Sequence, residues 1–142
     1  MIDPNITLEE LNERNQGNMA EALGIEFTEV GEDYLKASMP VDHRTTQPLG
    51  LLHGGASAGL AETVGSMASY ISVDRSQYYC VGLEIKCNHI RAKKSGEVEA
   101  TATPLHTGRK NHVWQIRILD EREKLVAYST LTMAVLSREQ VE

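Results

Sequence analysis

The stretch from Gly54 to Ser72 constrains the fold more than any other part of the chain. It consists mostly of Gly, Ala, Ser and apolar residues, and Glu62 is its only charged side chain. A run of this length without proline can form several helical turns, and a helix almost free of charge is usually a buried one. Small side chains also let neighbouring backbone approach closely. The stretch therefore predicts a central helix packed against the rest of the protein.

The segments on either side of this helix predict strands. Residues 24–30 and 34–41 precede it and are joined by a short turn, so they indicate a hairpin. Four further strands are predicted after it, at residues 78–91, 96–107, 110–120 and 124–137. In the third of these, Trp114, Ile116 and Ile118 recur at every second position and share one face. This order predicts an α+β fold, with the long helix lying across a curved antiparallel sheet.

The N-terminal part of the chain predicts a helix or a pair of helices over residues 7–22. Thr7 and Glu10 have the spacing of a capping box, in which each side chain accepts a hydrogen bond from the other residue's backbone N–H. Gly17 lies inside this segment and either weakens the helix or divides it. Residues 42–53, just before the central helix, are polar and contain proline and glycine, so a loop is expected there.

Length and charge restrict the classes of function. A chain of 142 residues is about one domain's worth, so residues 1–142 are predicted to form a single domain. The formal net charge of −6 argues against a nucleic-acid partner, which normally needs a basic face. No apolar run approaches the roughly 18 residues of a membrane span, and residues 1–5 do not resemble a secretory signal. We therefore expect a cytoplasmic protein with no membrane partner.

The two cysteines, Cys80 and Cys87, lie seven residues apart in a predicted strand. An odd separation places two side chains on opposite faces of a regular strand, so these thiols are not expected to bond with each other. We expect two free and partly buried thiols, as in a reducing compartment.

Glu62 is the residue that departs most from the pattern around it. An ionised carboxylate on an apolar helix is costly to bury unless it is paired or hydrogen-bonded. The functional interpretation is a general base or a nucleophile, and the alternative is that the helix has one wet face. Ser66 follows one turn later on the same face and could hydrogen-bond Glu62 or a water molecule, or could simply be a small packing residue. Met67 is expected to line a pocket.

The sequence His53-Gly54-Gly55 lies where the central helix begins. Free N–H groups at a helix N-terminus carry partial positive charge and can bind a developing oxyanion. Glycine there would let a carbonyl group approach closely, although a simple loop-to-helix transition has the same sequence pattern. Gln47, in the preceding loop, is a candidate second donor or water-positioning group, or an ordinary loop residue.

The spacing of these groups predicts a site shared between subunits. Glu62 lies eight residues after Gly54, so their Cα atoms are ~12 Å apart along a helix. One substrate carbonyl group cannot easily contact both groups of the same helix. A two-fold dimer removes the difficulty, because one subunit supplies the N–H donor and the other the carboxylate. The chain is therefore predicted to form a homodimer with shared active sites.

Two basic segments stand out in this acidic chain. Arg109-Lys110 lies at a predicted turn between strands, and Arg91-Ala92-Lys93-Lys94 lies at the end of another strand. Cations at such positions suit the phosphates of a small ligand better than they suit a core, although a solvated basic turn has the same pattern. Two local clusters on an acidic protein favour a polyanionic small molecule over nucleic acid.

Metal-dependent and serine-dependent hydrolysis have weaker support in the sequence. The five histidines lack the close, helix-phased spacing of a metal site, although His53, His89 and Glu62 form an imaginable trio. There is no Gly-x-Ser-x-Gly elbow to present a nucleophilic serine. No metal and no cofactor are therefore expected.

Three segments together resemble the hotdog-fold thioesterases of the 4-hydroxybenzoyl-CoA thioesterase type. They are residues 47–62, 81–91 and 104–114, and the resemblance extends over residues 7–137. It implies hydrolysis of an acyl-CoA with an aromatic acyl group, such as dihydroxynaphthoyl or hydroxybenzoyl, by a dimer of dimers. It is strongest to members that act in menaquinone biosynthesis or in proofreading during enterobactin synthesis.

The resemblance also implies roles for individual residues. Glu62 is the implied nucleophile or base, and the Gly54 N–H is the implied oxyanion donor. Gln47 and His53 would assist near the thioester carbonyl, and Ser66 would position water or the carboxylate. The residues implied to line the acyl pocket or to contact the coenzyme A arm are Met67, Gly82, His89, Ile90, Arg91, His106, Thr107, Gly108, Arg109, Lys110 and Asn111.

Two other functions are compatible with the same fold. A hotdog dehydratase would use an Asp and a His on or near the central helix, but the first Asp after Gly54 is Asp74. A non-catalytic acyl-CoA-binding module would keep the basic turns and would not need Glu62.

Overall fold

Six antiparallel strands form one sheet, and the computed structural model describes residues 1–140 of the chain. The helices are α1 Leu8–Glu13, α2 Met19–Ala22 and α3 Gly54–Tyr70, and a 3-10 turn spans Arg138–Gln140. The strands are β1 Glu26–Val30, β2 Leu35–Pro40, β3 Tyr78–His89, β4 Glu97–Thr107, β5 Asn111–Leu119 and β6 Leu125–Ser137. The predicted α+β order is confirmed, and the bounds differ little; β3, for example, ends at His89 rather than at Arg91.

The sheet has the strand order β1-β2-β4-β5-β6-β3. The β1–β2 hairpin forms one edge, and β4, β5 and β6 follow as a meander. β3 pairs with β6 along almost its whole length and forms the opposite edge. The predicted alternation in β5 is confirmed, because Trp114, Ile116 and Ile118 are all buried against the helix layer.

Helix α3 packs one face on the sheet and leaves the other partly open. Leu60, Ala61, Val64 and Ala68 are fully buried on the packed face. A Cβ atom at Gly65 would lie 2.6 Å from Leu131 Cδ2, so the absence of a side chain there allows the close approach of helix and sheet. The helix is therefore wrapped on one side only. No helix within residues 1–140 is long and apolar enough to cross a membrane.

The N-terminal segment forms the predicted pair of helices. The capping box is present, since the Glu10 N–H donates to Thr7 Oγ1 at 3.2 Å and the Thr7 N–H donates to Glu10 Oε2 at 2.9 Å. Gly17 has a φ of +75° and separates α1 from α2. The Asn12 amide exchanges two hydrogen bonds with the Phe27 backbone, at 2.8 and 3.1 Å. These bonds fix α1 to the first strand of the sheet.

The prediction that Cys80 and Cys87 lie on opposite faces of their strand is wrong. A β-bulge at Leu83 places one extra residue in β3, because Gly82 pairs with Met133 and Glu84 with Thr132. Because of this extra residue, an even number of paired strand positions separates Cys80 from Cys87, and both side chains therefore face the core. They remain free thiols, since six strand positions separate them by ~20 Å. Burial raises the pKa of both thiols, which keeps them protonated and unreactive near neutral pH.

A buried polar cluster connects α3 to β5. Trp114 Nε1 donates to Ser69 Oγ at 2.6 Å, and His112 Nδ1 lies 3.0 Å from the same oxygen. All three side chains are almost inaccessible to solvent. Burial lowers the pKa of His112, and the positive N-terminus and His106 act in the same direction. The neutral imidazole can accept the Ser69 hydroxyl proton, which leaves no polar group of this cluster without a partner.

The lowered pKa of His112 predicts a loss of stability in mild acid. The unfolded chain binds a proton at this residue more readily than the folded chain, so the stabilisation is complete above pH 6.5 and falls as the pH decreases below that value. We expect the denaturant midpoint to decrease between pH 7.5 and 5, and to decrease less in His112→Gln. His43→Gln, at a fully exposed ring, is the matched control and should behave like the wild type. An identical pH profile for His112→Gln and the wild type would contradict this assignment.

Candidate active site

Glu62 lies on the open face of α3, where it lines a cavity of about 480 Å³ between this helix and the N-terminal helices. This volume is within the usual range for a site that holds a small organic ligand. The helix contributes one stripe of residues, Gly59, Glu62, Thr63, Ser66, Met67 and Tyr70. The segment around α1 and α2 contributes Arg14, Asn15, Asn18, Met19 and Ala20, and β3 contributes Cys80. Glu62 is half-buried, so it faces a concave surface rather than open solvent.

The Glu62 carboxylate lies directly over Gly82 of β3. A Cβ atom at position 82 would be 2.5 Å from Glu62 Oε1, closer than non-bonded atoms approach each other. Gly82 is therefore the position where the strand makes room for the carboxylate. The bulge at Leu83 follows immediately, and bulges often adjust how a strand presents its residues near functional sites. We find no hydrogen-bond donor to the Glu62 carboxylate within the described part of the chain, which leaves both of its oxygens available to a ligand or water.

Ser66 and Met67 lie beside Glu62, as their spacing predicts. The Ser66 hydroxyl contacts Met133 Sδ at 3.6 Å, so its partner in this structure is a core methionine rather than Glu62. Met67 is partly buried against the core and lines the cavity. Its predicted position in a pocket is thus observed, while the ligand that it would contact stays a prediction.

The start of α3 leaves one backbone donor free. His53 is the N-cap, and its Nδ1 accepts from the Gly55 N–H at 2.7 Å. The next two N–H groups, of Ala56 and Ser57, both donate to the His53 carbonyl. The Gly54 N–H has no acceptor among residues 1–140. It is therefore the one amide at this helix terminus that can receive an anionic oxygen.

His89 and Gln47 border this helix start. His89 Nε2 would lie 2.8 Å from a Cβ atom at Gly54, so the imidazole of β3 lies against the glycine. Gln47 Oε1 accepts a hydrogen bond from the Leu49 N–H, which leaves the Gln47 amide nitrogen as a free donor. The structure thus places the His89 ring at the beginning of α3, and Gln47 lies in the loop that leads into this helix.

Within one subunit, Glu62 and Gly54 remain apart. They lie eight residues apart on the same uninterrupted helix, which corresponds to ~12 Å between their Cα atoms. The structure thus brings Glu62 together with Gly82, Ser66 and Met67, and brings Gly54 together with His53 and His89. One copy of the chain therefore holds two separate groups of candidate residues, named the Glu62 half-site and the Gly54 half-site below.

The residues implied to contact coenzyme A are mostly exposed, and they lie in two groups near opposite ends of β3. His89, Ile90, Arg91, His106, Thr107, Arg109, Lys110 and Asn111 are exposed, and Gly108 is half-buried in the turn between β4 and β5. Neither Arg109 nor Lys110 has a carboxylate partner in residues 1–140, so both charges can meet a phosphate. The second basic cluster is weaker than its sequence indicates, because Lys93 Nζ pairs with Glu121 Oε2 at 2.5 Å.

Sequence reasoning did not identify Arg14 and Tyr70 as site residues. Tyr70 closes the C-terminal end of the cavity, and the Arg14 guanidinium stacks over its ring at 4.2 Å from the centroid. The only available signal was the position of Tyr70 two turns after Glu62 on the same helical face. In the described residues, no group of three or more His, Cys, Asp or Glu side chains is placed to hold a metal ion.

A long helix lying across an antiparallel sheet is the arrangement of the hotdog fold, and solved structures that this chain resembles are those of thioesterases. The sequence profile of the Thioesterase superfamily matches residues 49–127, and the chain belongs to this family. The structure superposes on a crystal structure of a mutant thioesterase from Pseudomonas aeruginosa with a TM-score of 0.94. These two chains are 50% identical, and the match covers 96% of this chain and 98% of the other.

Two relatives illustrate the functions that are named within the family. The 1,4-dihydroxy-2-naphthoyl-CoA hydrolase of Escherichia coli is 51% identical over 131 residues, or 92% of this chain and 96% of the relative. The proofreading thioesterase EntH of Cronobacter turicensis is 50% identical over 131 residues, or 92% and 95% of the two chains. The resemblance noted in the sequence and the hotdog fold that it implies are both confirmed, and the protein is a thioester hydrolase.

Proposed function

We propose that this protein hydrolyses acyl-CoA thioesters with aromatic acyl groups, and that Glu62 is the catalytic carboxylate. The observation that carries the proposal is the position of Glu62, the only charged side chain of α3, in a ligand-sized cavity on the open face of that helix. The 1,4-dihydroxy-2-naphthoyl-CoA hydrolase relative supports a bicyclic aromatic acyl group, and hence a role in menaquinone biosynthesis.

The chemistry follows from the two half-sites. The Gly54 N–H, with Gln47 and His53 near it, polarises the thioester carbonyl and stabilises the developing oxyanion. Glu62 then attacks the carbonyl carbon to form an acyl-enzyme anhydride, or removes a proton from an attacking water molecule. In both routes the carbon–sulfur bond breaks, and the coenzyme A thiolate leaves. In the first route a water molecule then hydrolyses the anhydride, which releases the free acid and restores the Glu62 carboxylate. Single-turnover hydrolysis in heavy-oxygen water separates the routes, because only attack by Glu62 transfers label to its carboxylate.

The edge strand β3 supplies a way to join the half-sites. Its outer edge has no strand partner in residues 1–140, and Val81 and Leu83 are exposed along it. A long, unprotected edge with apolar side chains is a site for pairing with another strand. A second copy of β3 can pair with it antiparallel about a two-fold axis. The proposed assembly is such a dimer, and the dimer of dimers implied by the family resemblance would be built from it.

The register of that pairing decides whether a complete site forms. Glu62 lies over Gly82, and the start of α3 lies against His89, seven residues further along the same strand. In symmetric antiparallel pairing centred near Ile85, position 82 of one subunit faces position 89 of the other. Glu62 would then lie next to the Gly54 N–H of the partner subunit. The proposed dimer thus brings together the carboxylate and the oxyanion donor that one subunit keeps apart.

The coenzyme A arm is proposed to lie along the turn from His106 to Asn111 and across the end of β3. Arg109 and Lys110 supply unpaired positive charge there, beside the first residues of β3. Ile90 and Arg91 follow the other end of β3, and the proposed antiparallel pairing would bring them to the same surface from the partner subunit. Exposed cations of this kind attract a polyphosphate through long-range interactions that salt screens.

A panel of thioesters tests the proposed function. We expect release of free coenzyme A, followed with a thiol reagent, to be fastest for naphthoyl-CoA and benzoyl-CoA derivatives and slower for short aliphatic acyl groups, compared as kcat/KM. The matching pantetheine thioesters lack the nucleotide and should show a higher KM with a similar kcat, because they lose contacts that do not change during the reaction. The absence of turnover with every thioester would refute the proposal.

A further inference from the structure

We infer that Arg14 makes the cavity select acyl groups that carry a negative charge or a strong hydrogen-bond acceptor at the end remote from the thioester. The inference rests on the proposed function, since it names the acyl class that the same cavity accepts. Arg14 would then be a residue that determines specificity, and Glu62 would perform the chemistry at the other end of the cavity.

The cavity has two chemically different ends. Glu62 marks one end, and Tyr70 lies eight residues later on the same face of α3. Eight residues of helix correspond to ~12 Å between Cα atoms. The Glu62 and Tyr70 side chains occupy part of this distance. The space that remains between them matches the length of two fused rings attached to the thioester better than that of a short acyl chain. The far end of such a group would reach the Arg14–Tyr70 pair.

Two guanidinium groups lie near the Tyr70 ring, and only one of them forms an ion pair with a carboxylate. The Arg75 guanidinium lies 5.6 Å from the ring centroid, and it pairs with Asp3 Oδ2 at 2.6 Å. The Arg14 guanidinium is closer, at 4.2 Å, and has no carboxylate within 4.0 Å in the described sequence. Arg14 is thus a cation at the cavity that has no carboxylate in ion-pair contact, while Glu10 and Glu13 line a neighbouring cavity on its other side.

The position of Arg14 is held from both its backbone and its side chain. Its carbonyl accepts from Asn18 Nδ2 at 2.6 Å, which fixes the corner between α1 and α2. The contact with the Tyr70 ring restricts the guanidinium of this otherwise exposed side chain, and the N–H donors of a guanidinium lie in one plane. A planar donor held in this way can bind a carboxylate through two parallel hydrogen bonds without a large loss of side-chain freedom.

Paired substrates and variants test the inference. We compare kcat/KM for 6-carboxy-2-naphthoyl-CoA and 2-naphthoyl-CoA in the wild type, Arg14→Met and Arg122→Met. Arg122 is an exposed arginine that does not line the cavity, so its substitution controls for the loss of one positive charge. The wild type and Arg122→Met should prefer the carboxylated substrate by about fivefold, the effect of a charge-assisted hydrogen bond at a partly exposed site. Arg14→Met should lose this preference, and Arg14→Glu should reverse it.

Equal preferences in the wild type and Arg14→Met would overturn the inference and leave the proposed function intact. If neither thioester is hydrolysed, the proposed function fails, and binding then decides the inference separately. Equilibrium dialysis measures the dissociation constants of 6-carboxy-2-naphthoic acid and 2-naphthoic acid with the same proteins. The wild type should bind the carboxylated acid about fivefold more tightly, and Arg14→Met should bind both acids equally. Equal dissociation constants of the two acids in the wild type would also overturn the inference.

Discussion

Glu62→Gln is expected to lower kcat for acyl-CoA hydrolysis by about a thousandfold or more, which is the usual effect of removing a nucleophile or a general base. Glutamine has nearly the same shape as glutamate but can neither attack the carbonyl carbon nor accept a proton. KM should change little, because the cavity and the basic turn remain. The free energy of unfolding should also stay close to that of the wild type, since Glu62 is half-buried and accepts no hydrogen bond from the described residues. Glu9→Gln, at an exposed position of α1, is the matched control.

Glu62→Gln also tests whether each active site is shared between two subunits. Gly54→Pro removes the proposed oxyanion donor at the first position of a helix, where proline is well tolerated. Gly54→Ala is its control, since it places the same Cβ atom against His89 but keeps the N–H. In a dimer that combines Glu62→Gln with Gly54→Pro, both defects fall in one site and the other site is intact. Co-expression should therefore restore about a quarter of the wild-type activity if subunits assort randomly. No recovery in isolated mixed dimers would place both groups in one subunit.

Gly82→Ala is expected to lower kcat by about a hundredfold while the protein stays folded. The added Cβ atom would lie 2.5 Å from Glu62 Oε1, so the carboxylate must move. Its movement costs little stability, because the atom that gives way is the end of a flexible, half-exposed side chain. A shift of about 1 Å in a reacting group is enough to cause a loss of this size. Steady-state kinetics and chemical denaturation on the same preparations separate the effect on kcat from the effect on stability.

A double-mutant cycle shows whether Gly82 acts through Glu62. If it does, Gly82→Ala combined with Glu62→Gln should be no less active than Glu62→Gln alone, because the carboxylate that the methyl group displaces is already gone. Additive losses would mean that Gly82 contributes in another way, for example through contact with the coenzyme A arm, as the family resemblance implies.

Much of the fold can be predicted from local patterns. The run of small residues after Gly54 and the alternation around Trp114 identify the central helix and a sheet strand, because helical and strand periodicities differ clearly. Glu62 is recognisable as a functional candidate because it is the one charge in that helix. Gly17 separates the two N-terminal helices, although sequence alone left open whether it weakens or breaks the helix.

The features that the sequence did not reveal depend on contacts between distant segments. The bulge at Leu83 cannot be recognised from alternation of apolar and polar residues. It places Cys80 and Cys87 on the same face of β3 rather than on opposite faces. The partner of Ser66 is Met133, which is brought to it by the pairing of strands rather than by helix geometry. The stacking of Arg14 on Tyr70 likewise depends on how α1 is docked on the sheet. Such docking is a property of the whole fold, so no local pattern indicates it.

The attachment of α1 to the Phe27 backbone through Asn12 has a consequence for how this enzyme can diverge. Bond cleavage is assigned to α3 and β3, whereas recognition of the far end of the acyl group is assigned to the segment that carries Arg14. That segment is anchored to β1 and lies beside α3. Substitutions of its side chains can therefore change the range of substrates while the position of Glu62 stays the same. The charged group of the recognition site and the catalytic carboxylate are thereby encoded in separate stretches of the gene, which lets Arg14 vary while Glu62 is retained.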